Sequence, residues 1–345
     1  MENQNNTLNQ NLEEFNELQS KKWIGYLFRI GSATSFAFVT IIGKYFLENI
    51  PTLQMISLSA LLAGIGIGLP IILFYFLFNK KPAQQTFTED IKPNLSNTFY
   101  LIIFLDFLFQ VLYFFSSDYI PASHTALYLT LAPLVGLCIS LLFLGEESGI
   151  FKKRGLAFTL FSMASIGSIF IFVSKENFAF ARHDVIGEMY ATLLVFLDVW
   201  FTVALIKYYK LKNTFSPFLF TVFFMFIMGI AVSPIYLPYL FMHFTEILSQ
   251  DWLFLFLLGL SLFILKYCTM ESYNRCNGLI NYLLMNLFPI GVVVLEFYYF
   301  DLSISLIFLV GLVLILGSSF IIEYINTQEE RKDIIQKEKC RNITA

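Results

Sequence analysis

Along this chain, apolar runs of membrane-crossing length alternate with short polar connections. A helix needs about 20 apolar residues to cross the hydrocarbon core of a bilayer. Six stretches meet that length without a single Asp, Glu, Lys or Arg: Asn49–Asn79, Tyr119–Gly145, Gly155–Ser174, Asn213–Thr245, Cys276–Leu295 and Leu302–Ile322. Four more are long enough but carry charge: Ile24–Leu47, Thr98–Ser117, Val185–Ile206 and Trp252–Tyr273. The pattern predicts ten spans, numbered 1 to 10 in chain order. The two longest, Asn49–Asn79 and Asn213–Thr245, read as single tilted helices, since neither is long enough for two.

Lys and Arg in the connections set the orientation. With the N-terminus cytoplasmic, 17 of them fall in inner segments and two, Lys175 and Arg182, in outer loops. A missed span would scramble that asymmetry, so it supports the count of ten and puts both termini in the cytoplasm. The N-x-S/T matches at Asn5, Asn94 and Asn342 then face the wrong compartment for glycosylation. Residues 1–22 are rich in Asn, Gln and Glu and read as a disordered cytoplasmic tail. Residues 326–345 read as a charged cytoplasmic tail, with acid–base neighbours at helical spacing.

Composition agrees. A soluble protein has roughly a quarter of its residues charged; here 14% are charged, 57% are hydrophobic and mean hydropathy is +0.70. The chain is expected to be an integral, multi-pass membrane protein with lipid as its main solvent. Net charge is −3 and the basic residues are dispersed, which gives no footprint for nucleic acid. The four cysteines, Cys138, Cys268, Cys276 and Cys340, have no spacing that marks a disulfide framework or a zinc site. The polar, acidic N-terminus is not a cleavable signal peptide, so span 1 is expected to serve as the insertion signal. His124, His183 and His243 are scattered, and there is no HExxH, nucleophile elbow or Gly-rich phosphate loop. Neither a metal, a cofactor nor an enzymatic reaction is expected.

Charge inside a span is costly and usually faces a cavity or a partner. Lys44, Asp106, Asp198 and Lys266 fall on spans 1, 3, 6 and 8. At about 1.5 Å per residue, Asp106, Asp198 and Lys266 come to one depth, slightly cytoplasmic of the midplane. Gln110 and Tyr113 share a helix face with Asp106, and Thr202 with Asp198. These six residues are the candidate pathway for a polar solute or a coupling ion; an ion pair that only locks helices together is the alternative. A carboxylate at that depth is also a candidate proton carrier. Lys44 lies near the outer end of span 1, close enough to snorkel, and is a weaker pathway candidate. Glu296 either lines an outer vestibule or marks the end of span 9. Arg29 reads as a cytoplasmic anchor, and Glu271 with Arg275 as an interfacial pair. Trp200 is deep enough to stack on a solute. Gly64, Gly66 and Gly68 read as sites of close helix packing.

The chain also repeats itself. Ala126–Gly155 aligns with Tyr282–Gly311: Pro133 to Gly155 and Pro289 to Gly311 are both 22 residues apart, at a common offset of 156. Glu146 and Asp301 close the two spans within one position of register. Pro133 and Pro289 break the backbone ladder at equivalent points, which makes them candidate hinges. Five spans per half is an odd number, so the second half inserts from the opposite side, as in many secondary transporters. The expected fold is all-α: ten transmembrane helices as two inverted five-helix repeats, residues 23–174 and 185–325.

At LTLAPLVGLCISLLFLGE, followed by KKRGLAFTLFSMASIGSIF, the sequence resembles the fourth and fifth helices of the drug/metabolite transporter superfamily in its EamA-type repeat. Pro133, Gly145, Glu146 and Gly155 match the pattern of that repeat. The second copy keeps Pro289 and Gly311 but has Phe300 and Asp301 where Gly-Glu is expected, and span 2 lacks the Arg often found near its start. The resemblance extends over about residues 23–325. It implies a ten-helix carrier with a central cavity lined by helices 1–4 and 6–9, with 5 and 10 peripheral. Solutes of such families include amino acids, nucleotide sugars, phosphorylated sugars and drugs. The paired basic residues expected of phosphate exchangers are missing from the end of this chain, as is a nucleotide-sugar signature. The expected function is alternating-access transport of a small polar organic solute, with proton coupling as a variant. A non-transporting membrane scaffold or receptor on the same fold is the alternative. Whether the plasma membrane or an endomembrane holds it, and its oligomeric state, are left open by the sequence.

Overall fold

The computed structural model describes residues 2–47, 49–78, 92–120, 122–129, 131–132, 135, 154–173, 185–210, 216–243, 249–275, 284, 287–300, 306–307, 309–318, 320–321, 324–325, 328 and 332. Every regular element among them is helical. We label them α1 (Glu2–Ile41), α2 (Thr52–Phe78), α3 (Asn97–Tyr119), α4 (Ala122–Leu129), α5 (Arg154–Val173), α6 (Val185–Lys210), α7 (Pro217–Ala231 and Ser233–His243), α8 (Ser249–Arg275), α9 (Leu287–Phe300) and α10 (Leu309–Ser318).

Five segments are long and apolar enough to cross a membrane: Lys22–Lys44, Thr52–Phe78, Asn97–Tyr119, Val185–Leu205 and Asp251–Arg275. The two parts of α7 make a sixth if taken together. Leu27, Leu77, Phe104, Leu193, Trp200 and Phe241 all point outward, so the helices are apolar on the outside as well as inside. That is the signature of a lipid-facing helix rather than an amphipathic one.

Two departures from the sequence expectation have local causes. The stretch 2–22, expected to be disordered, continues α1 as helix. It holds no Gly or Pro before Gly25, and extending an existing helix avoids the cost of nucleating a new one. Span 7, expected to be one tilted helix, bends by 62° between Ala231 and Ser233. Pro234 lacks an amide hydrogen, and its ring crowds the preceding turn, which accounts for the kink.

Two helix starts are fixed by capping. Ser96 accepts from the Phe99 amide at the head of α3, and Ser216 accepts from the Leu219 amide ahead of Pro217 at the head of α7. These two starts meet the end of α6 in an aromatic knot. Phe220 lies edge-on to Phe99 at 4.9 Å and to Tyr208 at 5.0 Å, and the Tyr208 hydroxyl donates to the Asn94 carbonyl at 3.2 Å.

Among the described residues the most extensive helix contacts are α2 with α7, α1 with α8 and α3 with α6. α1 also lies along α9, and α6 along α4. α2 crosses α7 at close range because side chains are missing there. A Cβ on Gly64 would run into the Met225 carbonyl, and one on Gly229 would come within 3.0 Å of the Ala60 carbonyl. At this crossing α2 widens into a π-helical stretch, Leu62–Gly68. Gly66, by contrast, faces open space.

Candidate functional site

Helical spacing brings the charged residues to one place. α1 turns Arg29, Ser32, Phe36 and Thr40 inward. α3 presents Asp106, Phe109, Gln110 and Tyr113; α6 presents Asp198, Phe201 and Thr202; α8 presents Lys266, Thr269 and Tyr273. Each set follows the three-to-four-residue repeat of a single helix face. With Phe288 of α9, these faces enclose a cavity of about 30 Å³, lined by Arg29, Asp106, Asp198, Lys266 and their aromatic and hydroxyl neighbours. Pockets that hold organic ligands run to about 300 Å³ or more. The cavity therefore has room for water and not for an organic solute.

Four ionisable side chains sit at its wall, all of them buried: Arg29 is 1% exposed, Asp106 1%, Asp198 4% and Lys266 5%. Such values are tolerable only with partners close by. Lys266 Nζ donates directly to Asp106 Oδ1. Gln110 Nε2 donates to the other oxygen, Asp106 Oδ2, at 2.8 Å. Both oxygens of Asp106 are thereby engaged. The Lys266 ammonium also lies 5.5 Å from the centre of the Phe201 ring. The Arg29 guanidinium rests over Phe288 at 4.8 Å and Tyr273 at 5.7 Å.

Asp198 is different. Its Oδ2 is buried and has no hydrogen-bond partner among the described residues. The charges acting on it are those of Arg29, Lys266 and Asp106. Around it, hydroxyls tie the helices together. Thr202 and Tyr273 share a hydrogen bond at 3.3 Å, Ser32 and Thr269 one at 2.8 Å, and Thr40 and Tyr113 one at 2.9 Å. These link α6 to α8, α1 to α8 and α1 to α3.

Of the residues expected to form the pathway, Asp106, Asp198, Thr202 and Lys266 line the cavity. Gln110 stands behind Asp106, and Tyr113 is held by Thr40 one turn further along α3. Lys44 lies elsewhere. It donates to the carbonyls of Ser117 and, at 3.3 Å, of Ile120, closing the C-terminal end of α3. Thr52 donates to Asp118 at 2.7 Å beside it. Ser116 joins that end of α3 to α4 and α6 through Thr125 and the Gly187 carbonyl, both at 2.9 Å. Pro133 falls outside the described residues. Pro289 and Glu296 lie on α9, and their side chains are outside the description.

Arg29 is a site residue that the expectation missed. It was read as a cytoplasmic anchor, and it lines the cavity instead. A signal existed: Ser32, Phe36 and Thr40 recur at helical spacing from Arg29 and mark the inward face of span 1. Trp200, read as able to stack on a solute, is 52% exposed on the outside of α6. Glu271 and Arg275 form the expected pair, with Arg275 Nε donating to Glu271 Oε2 at 2.8 Å.

No curated protein matches the chain. A solved structure, titled only as the crystal structure of a protein, shares the fold. It is 16% identical, with a TM-score of 0.58, over 87% of this chain and 95% of its own length. Residues 23–171, the segment that carries Arg29 and Asp106, match the EamA-like transporter family.

Proposed function

We propose that this protein is a carrier for a small polar organic solute. In this reading ten helices form two inverted five-helix repeats with both termini cytoplasmic, and the solute binds at the cavity between α1, α3, α6 and α8. The observation that carries the proposal is the buried Asp198 carboxylate, one oxygen of which has no hydrogen-bond partner among the described residues, beside Arg29 and the Lys266–Asp106 pair. A scaffold has no use for a buried acceptor that nothing fills, whereas a carrier leaves it for its cargo.

The contact pattern supports two related halves. Exchanging helices 1–5 with 6–10 turns the α1–α8 contact into α6–α3, and these two contacts are of similar extent. The crossing of α2 and α7 is reciprocal: Met225 and Gly229 lie 165 residues after Ala60 and Gly64, and each glycine packs on the other helix's carbonyl. Gly167 of α5 packs against the Gly311 carbonyl of α10, the helix it pairs with under the same exchange. An arrangement of this kind can open first on one side and then on the other by rocking about the site, with Pro133 and Pro289 as hinges.

Uptake of a solute panel into proteoliposomes, with and without a pH gradient, tests the reading. Accumulation above protein-free vesicles is expected, and dependence on the gradient would assign a proton to the cycle, with Asp198 as its carrier. A panel that spans polar metabolite classes and shows no uptake, and no thermal stabilisation of the purified protein, favours the scaffold.

A further inference from the structure

Building on the carrier reading, we infer that two threonine–tyrosine pairs, Thr40 with Tyr113 and Thr202 with Tyr273, are the gates of the pathway. In the proposed orientation the first closes it toward the outside and the second toward the cytoplasm.

The pairs occupy matching places on different helices. Thr202 lies 162 residues after Thr40, and Tyr273 lies 160 after Tyr113. The cavity-lining residues four positions earlier keep the same spacings: Asp198 lies 162 after Phe36, and Thr269 lies 160 after Phe109. Each pair therefore sits about one helical turn beyond the cavity wall on both of its helices. Thr40–Tyr113 joins α1 to α3, and Thr202–Tyr273 joins α6 to α8.

They also lie on opposite sides of the cavity. α1 runs antiparallel to α8: Phe46 stacks on Phe254, Ser32 is hydrogen-bonded to Thr269, and Phe28 meets Tyr267. α3 runs antiparallel to α6, with Phe99 near Tyr208 and Ser116 donating to the Gly187 carbonyl. One turn onward along α1 and α3 is thus the reverse of one turn onward along α6 and α8.

The chemistry suits a part that opens. A bond between neutral hydroxyls is far weaker than a buried ion pair such as Lys266–Asp106, and both hydroxyls can turn to water once the helices separate. Thr40 Oγ1 also donates to the Phe36 carbonyl at 3.0 Å, which makes the Tyr113 hydroxyl the donor of its pair. Beyond that pair the seam between α1 and α3 is tight. A Cβ on Gly43 would run into the Phe114 ring, and Lys44 donates to the Ser117 carbonyl.

The test reads access to the cavity from each face. Cys138→Ala, Cys268→Ala, Cys276→Ala and Cys340→Ala remove the native thiols from the full-length protein, and Leu265→Cys places one in the cavity wall. A membrane-impermeant maleimide is applied to sealed vesicles, from the outer face in one set and from the cytoplasmic face in the other. Tyr113→Phe keeps the ring and loses the hydroxyl. It is expected to speed labelling from the outer face about fivefold or more, with no rise from the cytoplasmic face. Tyr273→Phe is expected to do the reverse. Thr40→Ser and Thr202→Ser keep a hydroxyl and should label like the parent protein. Acceleration from both faces alike marks a loosened fold and overturns the inference. So does unchanged labelling, or acceleration from the face opposite to the one stated. Uptake of the solute panel by vesicles of the parent protein separates the two readings. Uptake without side-selective labelling removes the gates and leaves the carrier; the absence of both removes both.

Discussion

Asp106 and Asp198 are carboxylates in one cavity wall, and their neighbours divide the work between them. Asp106 holds Lys266 and Gln110 on its two oxygens, so its charge is spent on joining α3 to α8. Asp198 has a buried oxygen with no hydrogen-bond partner among the described residues, which the proposed reading leaves to the cargo. Removing one member of a buried pair strands the other, at a cost of about 3 kcal/mol or more. Asp106→Asn and Lys266→Gln should therefore each lower thermal stability strongly. The double variant should lose much less than the sum of the two, because neither charge is left alone. A thermal-unfolding double-mutant cycle reads this directly; additive losses would dissolve the pair. Lys44 belongs to a different task. Lys44→Met should cost about 1 kcal/mol of stability through the freed carbonyls at the end of α3, with solute affinity retained. Lost affinity at unchanged stability would return Lys44 to the pathway.

At the scale of elements, packing rests on places where side chains are absent. Gly64→Val should clash with the α7 backbone and lower stability by about 2 kcal/mol or more, whereas Gly66→Ala, which faces open space, should be neutral. Expression yield and thermal unfolding of the two variants decide it. The helices themselves were legible from apolar run length, and the intramembrane charges stood out against them. What was hidden has physical reasons. Arg29 lies five residues past the apolar boundary of span 1, so a depth counted from that boundary put it at the surface, although α1 begins far earlier. The 2–22 segment has a composition typical of disorder, but no residue in it breaks a helix that the next segment already nucleates. The π-helical stretches Ile42–Phe46 and Leu62–Gly68 are changes of hydrogen-bond register, which no hydropathy pattern encodes. Asp106 and Lys266 looked equivalent to Asp198 in sequence, since burial and spacing are alike and only the partners differ.

For the whole molecule, two basic and two acidic side chains line the cavity among the described residues, and α1, α3, α6 and α8 are joined around it by paired hydroxyls. On the proposed reading, a cargo reaches Asp198 by separating helices that are in contact here, which is the motion alternating access requires. The most direct measurement compares wild-type and Asp198→Asn proteoliposomes, reconstituted to equal density and loaded from one mixed extract of polar metabolites, with internal solutes read by mass spectrometry. The wild-type vesicles should accumulate at least one solute above protein-free vesicles, and the variant should accumulate about tenfold less of it. Equal accumulation by the two proteins, or none by either, would contradict the account.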